Sequence, residues 1–210
     1  MSLDGRITNF PADLELYYTL AAQWNPDAVL FGSSTILAAP TLEVPEEHRS
    51  IFTPPANSPD PRPLMVIADS RGRVRCWETL QTWPYMRDLI ALCTTSTPGE
   101  YMEYLKTTGI RTISAGIDRV NLRAALEMLN NEYNVRTVRV DSGGTLNSVL
   151  LYEGLVDEVS VLIHPFIAGG RADPTLCDPL NAGIQGLQIP LTHRSTEVLG
   201  NGIVWSRYSL

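Results

Sequence analysis

The sequence has little of what a metal site, a disulfide scaffold or a membrane span requires. Of 210 residues only three are cysteine and three are histidine. Cys76, Cys93 and Cys177 are widely spaced and form no C-x-x-C pair, so no metal set is expected. Free thiols in a reducing cytoplasm are the simplest reading. No apolar run approaches the ~20 residues of a membrane span, and no signal-peptide pattern opens the chain. Positive charge is short as well, with a formal net charge of −7. Nucleic-acid binding leaves a basic footprint, and none is visible. An anionic ligand must then be held by local amides and a few arginines rather than by a broad field. No H-x-E followed by P-C-x-x-C occurs, so a zinc deaminase domain is not expected as a partner. What is present suits one well-cored domain over residues 1–210, with 44% hydrophobic and 19% charged residues.

Strand and helix patterns alternate along the chain. Leu14, Tyr17, Tyr18 and Ala21 give residues 13–24 a helical stripe, with Pro11 near its start. Residues 28–31 read as a short buried strand, and 64–68, 89–94 and 110–114 as further strands. Residues 40–63, rich in proline and polar groups, read as a long surface loop. A short helix is expected over 100–108. A clear one follows Asn121, with Leu122, Ala125, Leu126 and Leu129 on one stripe. This alternation predicts an α/β fold with a mostly parallel sheet covered on both faces. Residues 192–199 and 203–210 flank Gly200-Asn201-Gly202, a hairpin signal, and are expected to close that sheet antiparallel.

The most informative stretch is Val140-Asp141-Ser142-Gly143-Gly144-Thr145-Leu146-Asn147. An apolar run over 136–140 ends in a small-residue turn. A segment with Leu146, Val149 and Leu150 on one face follows, and then a second apolar strand over 159–163. Two adjacent glycines let backbone amides approach a ligand. A helix starting at Thr145 would aim unpaired N–H groups at it, which suits a diphosphate and so a dinucleotide. An ordinary turn is the competing reading.

Four motifs in order resemble the reductase domain of riboflavin biosynthesis. They are Ser2-Leu3-Asp4-Gly5-Arg6-Ile7, the strand and turn ending in Gly32-Ser33-Ser34-Thr35, the strand ending in Asp69-Ser70-Arg71, and Asp141-Ser142-Gly143-Gly144 with the later Leu155-Val156-Asp157-Glu158, Pro165 and Gly169-Gly170. The resemblance spans nearly the whole chain. It implies a dihydrofolate reductase-like three-layer sandwich and hydride transfer from NADPH to the ribose carbonyl of a ribosylamino-pyrimidine phosphate. It also implies a homodimer. Another enzyme of this fold acting on a pterin-like or carbonyl substrate, or a nucleotide-binding protein without catalysis, is the alternative.

Gly32, Thr35, Ser70, Arg71, Gly143, Gly144, Thr145 and Leu146 are the candidate cofactor residues. Arg71, Arg73 and Arg75 alternate and would share one side of an extended segment, where one of them with Ser70 would fork onto a 2′-phosphate. A solvated charged edge is the other reading. Asp141, where the family more often has glutamate, and Asp4 are candidate substrate contacts, and each is also a plausible turn residue. His164 ends an apolar strand and is a structural residue or a proton donor, while His48 and His193 have no supporting context. The apolar run Ile203, Val204, Trp205 and Tyr208 near a sheet edge is the expected dimer surface. Two departures from the family pattern stand out. Ala38-Ala39-Pro40 replaces an acidic pair and no basic residue follows before Arg49, which predicts weak turnover of the phosphorylated precursor. Met1 directly precedes Ser2 where the family has an apolar strand, so the start was cut or misassigned, or a strand is missing.

Overall fold

A computed structural model of the chain describes residues 1–39, 60–170, 174–186 and 188–210. The loop reading of 40–59, with His48 and Arg49, lies outside the described residues. In chain order the elements are α1 (Leu14–Ala21), β1 (Ala28–Gly32), α2 (Ser33–Ala38), β2 (Leu64–Ala68), α3 (Trp77–Gln81), β3 (Asp88–Cys93), α4 (Gly99–Thr107), β4 (Arg111–Ser114), α5 (Leu122–Tyr133), β5 (Val138–Val140), α6 (Gly144–Tyr152), β6 (Glu158–Ile163), α7 (Pro179–Ala182), β7 (Thr192–Val198) and β8 (Val204–Ser209). They fall into two compact units, Trp24–Ser142, and Met1–Gln23 with Gly143–Leu210.

The first unit is built on a parallel sheet in the order β4-β3-β2-β1-β5. Its central strands, AVLFG, LMVIA and DLIALC, are apolar almost without interruption and buried almost throughout. Successive side chains point to opposite faces, so continuous burial means that both faces are covered. Val29, Met65, Ile67, Trp77, Tyr101 and Leu105 form the centre of one core. On α5 the Asn121 side chain accepts the Ala124 N–H at 3.0 Å, and Leu122, Ala125 and Leu129 are buried as the stripe predicts. Strand β5 is shorter than its apolar run. The N–H groups of Arg136 and Thr137 go instead to the Asp27 carboxylate at 2.8 and 2.9 Å.

The second unit holds a separate antiparallel sheet in the order β6-β8-β7. The hairpin forms where expected, with Asn201 at φ 59° and Gly202 at φ 72° in its turn. It does not close the parallel sheet, however. Strand β8 pairs with β6 instead, for example Val161 with Ser206. Strand β8 is central, and of the run expected at a dimer surface Ile203 and Trp205 are 3% and 6% exposed and serve the interior, while Val204 and Tyr208 are half-buried. The edge is β7, exposed at nearly every residue. The first two residues lie along β6: the Met1 ammonium donates to the Leu162 carbonyl, and the His164 N–H donates to the Met1 carbonyl at 2.8 Å.

Candidate functional site

Register fixes where the candidate residues of the first unit meet. Gly32 pairs with Ala68, Ala68 with Leu92, and Leu30 with Val140. Since all these strands run parallel, their carboxyl ends align and the turns after them share one edge of the sheet. Open α/β sheets bind ligands outside that edge. There the Ser142 hydroxyl accepts the Gly32 N–H at 3.1 Å and lies 3.1 Å from Thr35 Oγ1. The turn at 32–35 is thereby tied to the end of β5 by one side chain, Ser142, that was not among the candidate residues. Its signal was a hydroxyl inside a turn already marked as functional. Asp141 extends the ladder by donating its N–H to the Leu30 carbonyl at 3.0 Å. Its carboxylate stands 3.4 Å from Arg139, and both side chains are about one-fifth exposed (21% and 20%).

The turn after β2 departs from the expected extended row. Gly72 takes φ +62°, and a Cβ there would lie 2.6 Å from the Tyr101 ring, so only glycine fits. The bend sends the three arginines to different partners. Arg71 is exposed. Arg75 donates to the Gly72 carbonyl at 2.7 Å and stacks 4.4 Å from the Tyr101 ring centroid. Arg73 donates to both Ser33 Oγ and Ser34 Oγ at 2.9 Å. Two hydroxyls that accept from a guanidinium each keep a proton to donate. Ser70 is placed alike: its Oγ accepts the Val120 N–H at 3.0 Å and its own proton remains for an acceptor. Among the described residues, no carboxylate pairs with Arg73. The Arg73 guanidinium with the two serine hydroxyls makes a donor set suited to a phosphate. Ser33 and Ser34 belong to the turn motif read in the sequence but were not among its candidate residues.

In the second unit, Gly143 caps α6 at φ −82° and ψ 174°, ordinary extended backbone. The helix begins at Gly144, one residue before the expected Thr145. Neither glycine is needed for a left-handed conformation. Gly144 is needed for space, because a Cβ would meet the Thr175 carbonyl oxygen at 2.6 Å and the Asp178 nitrogen at 2.7 Å. The missing Cβ at Gly144 thus serves packing within this unit. Thr145 is exposed and Leu146 half-buried, while Ser148 and Leu150 rather than the expected Leu146 and Val149 carry the buried face.

Asp4 accepts from the Ser2 hydroxyl at 2.6 Å and from the N–H groups of Ala168 and Gly169 at 3.0 and 2.9 Å. These bonds, Ser2 first, hold its carboxyl down to about 2. The side chain therefore pins the 165–170 loop. His164 is buried, and its Nε2 accepts the Asp13 N–H at 3.1 Å, so its proton sits on Nδ1, which is buried with no partner among the described residues. His164 thereby holds the loop before α1. His193 is a surface residue of β7, 2.8 Å from Thr196.

The family described as RibD C-terminal domain matches residues 1–205. The chain belongs to this family. A relative named 2,5-diamino-6-ribosylamino-4(3H)-pyrimidinone 5′-phosphate reductase, from Archaeoglobus fulgidus, is 31% identical over 84% of this chain and 82% of its own length. One of the same name from Methanothermobacter thermautotrophicus is 30% identical over 97% of this chain and 92% of its own. The solved structure of a pyrimidine reductase-like protein from Corynebacterium diphtheriae matches all of this chain and 88% of its own with a TM-score of 0.71, at 15% identity. For the solved structure of the Saccharomyces riboflavin biosynthesis reductase Rib7, the TM-score is 0.58 at 19% identity, over all of this chain and 84% of that one. The fold is that of the RibD-type, dihydrofolate reductase-like reductases.

Proposed function

We propose that the protein is an NADPH-dependent reductase of riboflavin biosynthesis, acting on the ribosyl carbonyl of a ribosylamino-pyrimidinone 5′-phosphate. Membership of the RibD C-terminal domain family, with relatives named as that reductase along most of both chains, supports the reaction class. The cofactor reading is carried by one observation, the Arg73 guanidinium set against Ser33 and Ser34. This donor set fits the 2′-phosphate that distinguishes NADPH from NADH. When bound, the nicotinamide supplies the hydride.

The residues of this chain bind, orient and exclude water. In the unit Trp24–Ser142, Ser70, Arg73, Ser33 and Ser34 are assigned to the 2′-phosphate. Thr35 and Gly32, tied by Ser142, are assigned to the cofactor, and Arg71 to its solvent side. Asp141 is assigned to the substrate. In the other unit, the backbone at the start of α6, Gly143, Gly144, Thr145 and Leu146, is assigned to the diphosphate. Asp4 acts toward substrate by fixing the loop of Ala168 and Gly169. With His164 Nε2 already accepting a bond, the proton that completes the reduction is assigned to solvent.

Three free thiols favour a reducing cytoplasm. The long exposed edge of β7 favours pairing of two copies, which light scattering would read as twice 23.2 kDa. The expectation of weak turnover rests on Ala38-Ala39-Pro40 and on the lack of a basic residue before Arg49, of which residues 40–49 lie outside the described residues, and steady-state kinetics on the phosphorylated and dephosphorylated substrates test it. For the cofactor, fluorescence titration should give tighter NADPH than NADH binding. Arg73→Ala should remove about 1.5–3 kcal/mol from NADPH alone, a loss of roughly ten- to 150-fold. Equal affinities in the wild type contradict the proposal.

A further inference from the structure

A buried polar chain lies under the turn that carries Ser70 and Arg73. Asp69, Tyr101 and Trp77 are each 0% exposed. Trp77 Nε1 donates to the Tyr101 hydroxyl at 3.0 Å, and that hydroxyl donates to Asp69 Oδ2 at 2.9 Å. The same carboxylate oxygen accepts the N–H of Arg73 at 2.7 Å and that of Val74 at 2.8 Å. Asp69 Oδ1 is buried and has no partner among the described residues. A buried carboxylate with one idle oxygen is costly to keep. The bonds of this one are spent on holding the backbone of the turn.

Tyr101 reaches the turn a second way. Its ring occupies the space a Cβ of Gly72 would need, and Arg75 stacks on it while bonding the Gly72 carbonyl. The turn is therefore fixed at Gly72, Arg73 and Val74 by two side chains that face away from solvent. Because the Arg73 peptide N–H is itself one of the bonded groups, a tilt there redirects the whole Arg73 side chain, with its long lever, away from Ser33 and Ser34.

We infer that Asp69 and Tyr101 are positioning residues for cofactor specificity, holding the Arg73 backbone so that its guanidinium meets the two serine hydroxyls. The inference rests on the phosphate-site reading above. The test measures dissociation constants for NADPH and for NADH on the full chain, with circular dichroism as the folding control, for Tyr101→Phe, Asp69→Ala and Asp69→Asn. Tyr101→Phe and Asp69→Ala should each lower the NADPH-to-NADH preference about tenfold while NADH affinity stays within about twofold. Asp69→Asn retains an oxygen that accepts the N–H groups of the turn, and it should restore most of the preference. A purely structural role predicts equal losses for both cofactors, or none. A folded Tyr101→Phe with the wild-type ratio overturns the inference, as does a parallel loss of both affinities. If Asp69→Ala fails to fold, Tyr101→Phe, which deletes one oxygen, answers the question by the same ratio. A wild type that binds both cofactors equally overturns the phosphate-site reading, and the inference with it, before any variant is compared.

Discussion

The two sheets bury their strands differently. In the parallel sheet, β1, β2 and β3 have nearly every residue buried. In the antiparallel sheet, β7 has none buried and β8 has Trp205 and Ser206. A parallel sheet cannot leave a face in water, because its crossover helices cover both sides, whereas an antiparallel one can. The consequence is a division of labour. The candidate phosphate donors stand on turns whose strands are locked in the core. The second unit offers a long, open edge suited to association.

The largest effect should separate the units by stability. Trp77→Ala removes a fully buried ring and its bond to Tyr101, and should cost about 3–5 kcal/mol in urea unfolding. Val198→Ala on β7, where the side chain is 78% exposed, should stay within about 0.5 kcal/mol. Similar losses at the two sites would mean that β7 is covered in solution, and would favour a dimer through that edge.

This contrast also decides what the sequence made legible. Strands β1 to β3 announce themselves because a strand buried on both faces must be apolar throughout, and Asn121 announces α5 because a cap has a chemical signature. The turns were less readable. Arg71, Arg73 and Arg75 alternate in sequence and all lie exposed, yet the partners of Arg73 and Arg75 were not readable, since they depend on a left-handed Gly72 seated on Tyr101, a contact that spans 29 residues of chain. Ser142 and the pair Ser33-Ser34 are ordinary turn residues until pairing register brings strand ends together. The hairpin was visible from Gly200-Asn201-Gly202, but its partner was not, since a strand edge carries no label for the strand it joins. Gly143-Gly144 was legible as a special turn, while the reason at Gly144, a carbonyl of Thr175 in the way, depends on a segment thirty residues downstream.

The glycine pair gives a middle-sized effect, and it splits stability from binding. Gly144→Ala forces a Cβ against backbone at 2.6 Å and should destabilise the protein by about 1–3 kcal/mol. Gly143→Val places its side chain on extended backbone at φ −82°, which a branched residue tolerates. Its fold should hold, while NADPH binding falls because the branched side chain obstructs the first amides of α6. A folded Gly143→Val that binds NADPH as tightly as the wild type would remove the diphosphate role from this turn.

The smallest effect concerns two aspartates that both hold turns. Asp69 does so in the core, with three donors on one oxygen. Asp4 does so near solvent, with its side chain 27% exposed and its donors spread over both oxygens. Its carboxyl is lowered from 3.8 to about 2, first by the Ser2 hydroxyl and then by the N–H groups of Ala168 and Gly169. A folded-state value below the unfolded one means that the unfolded chain binds the proton first as acid is added. The stabilisation from Asp4 is therefore fully present above the ordinary value and fades as pH falls towards about 2. Asp4→Asn should be less stable than the wild type at neutral pH, and the gap should close on going from pH 4 to pH 2. Asp27 in the other unit, lowered first by the Thr137 N–H, keeps its own acid sensitivity in both proteins, so the difference between the two melting curves isolates Asp4. A gap that stays constant across that range would show that the loop of Ala168 and Gly169 is held by something other than this carboxylate.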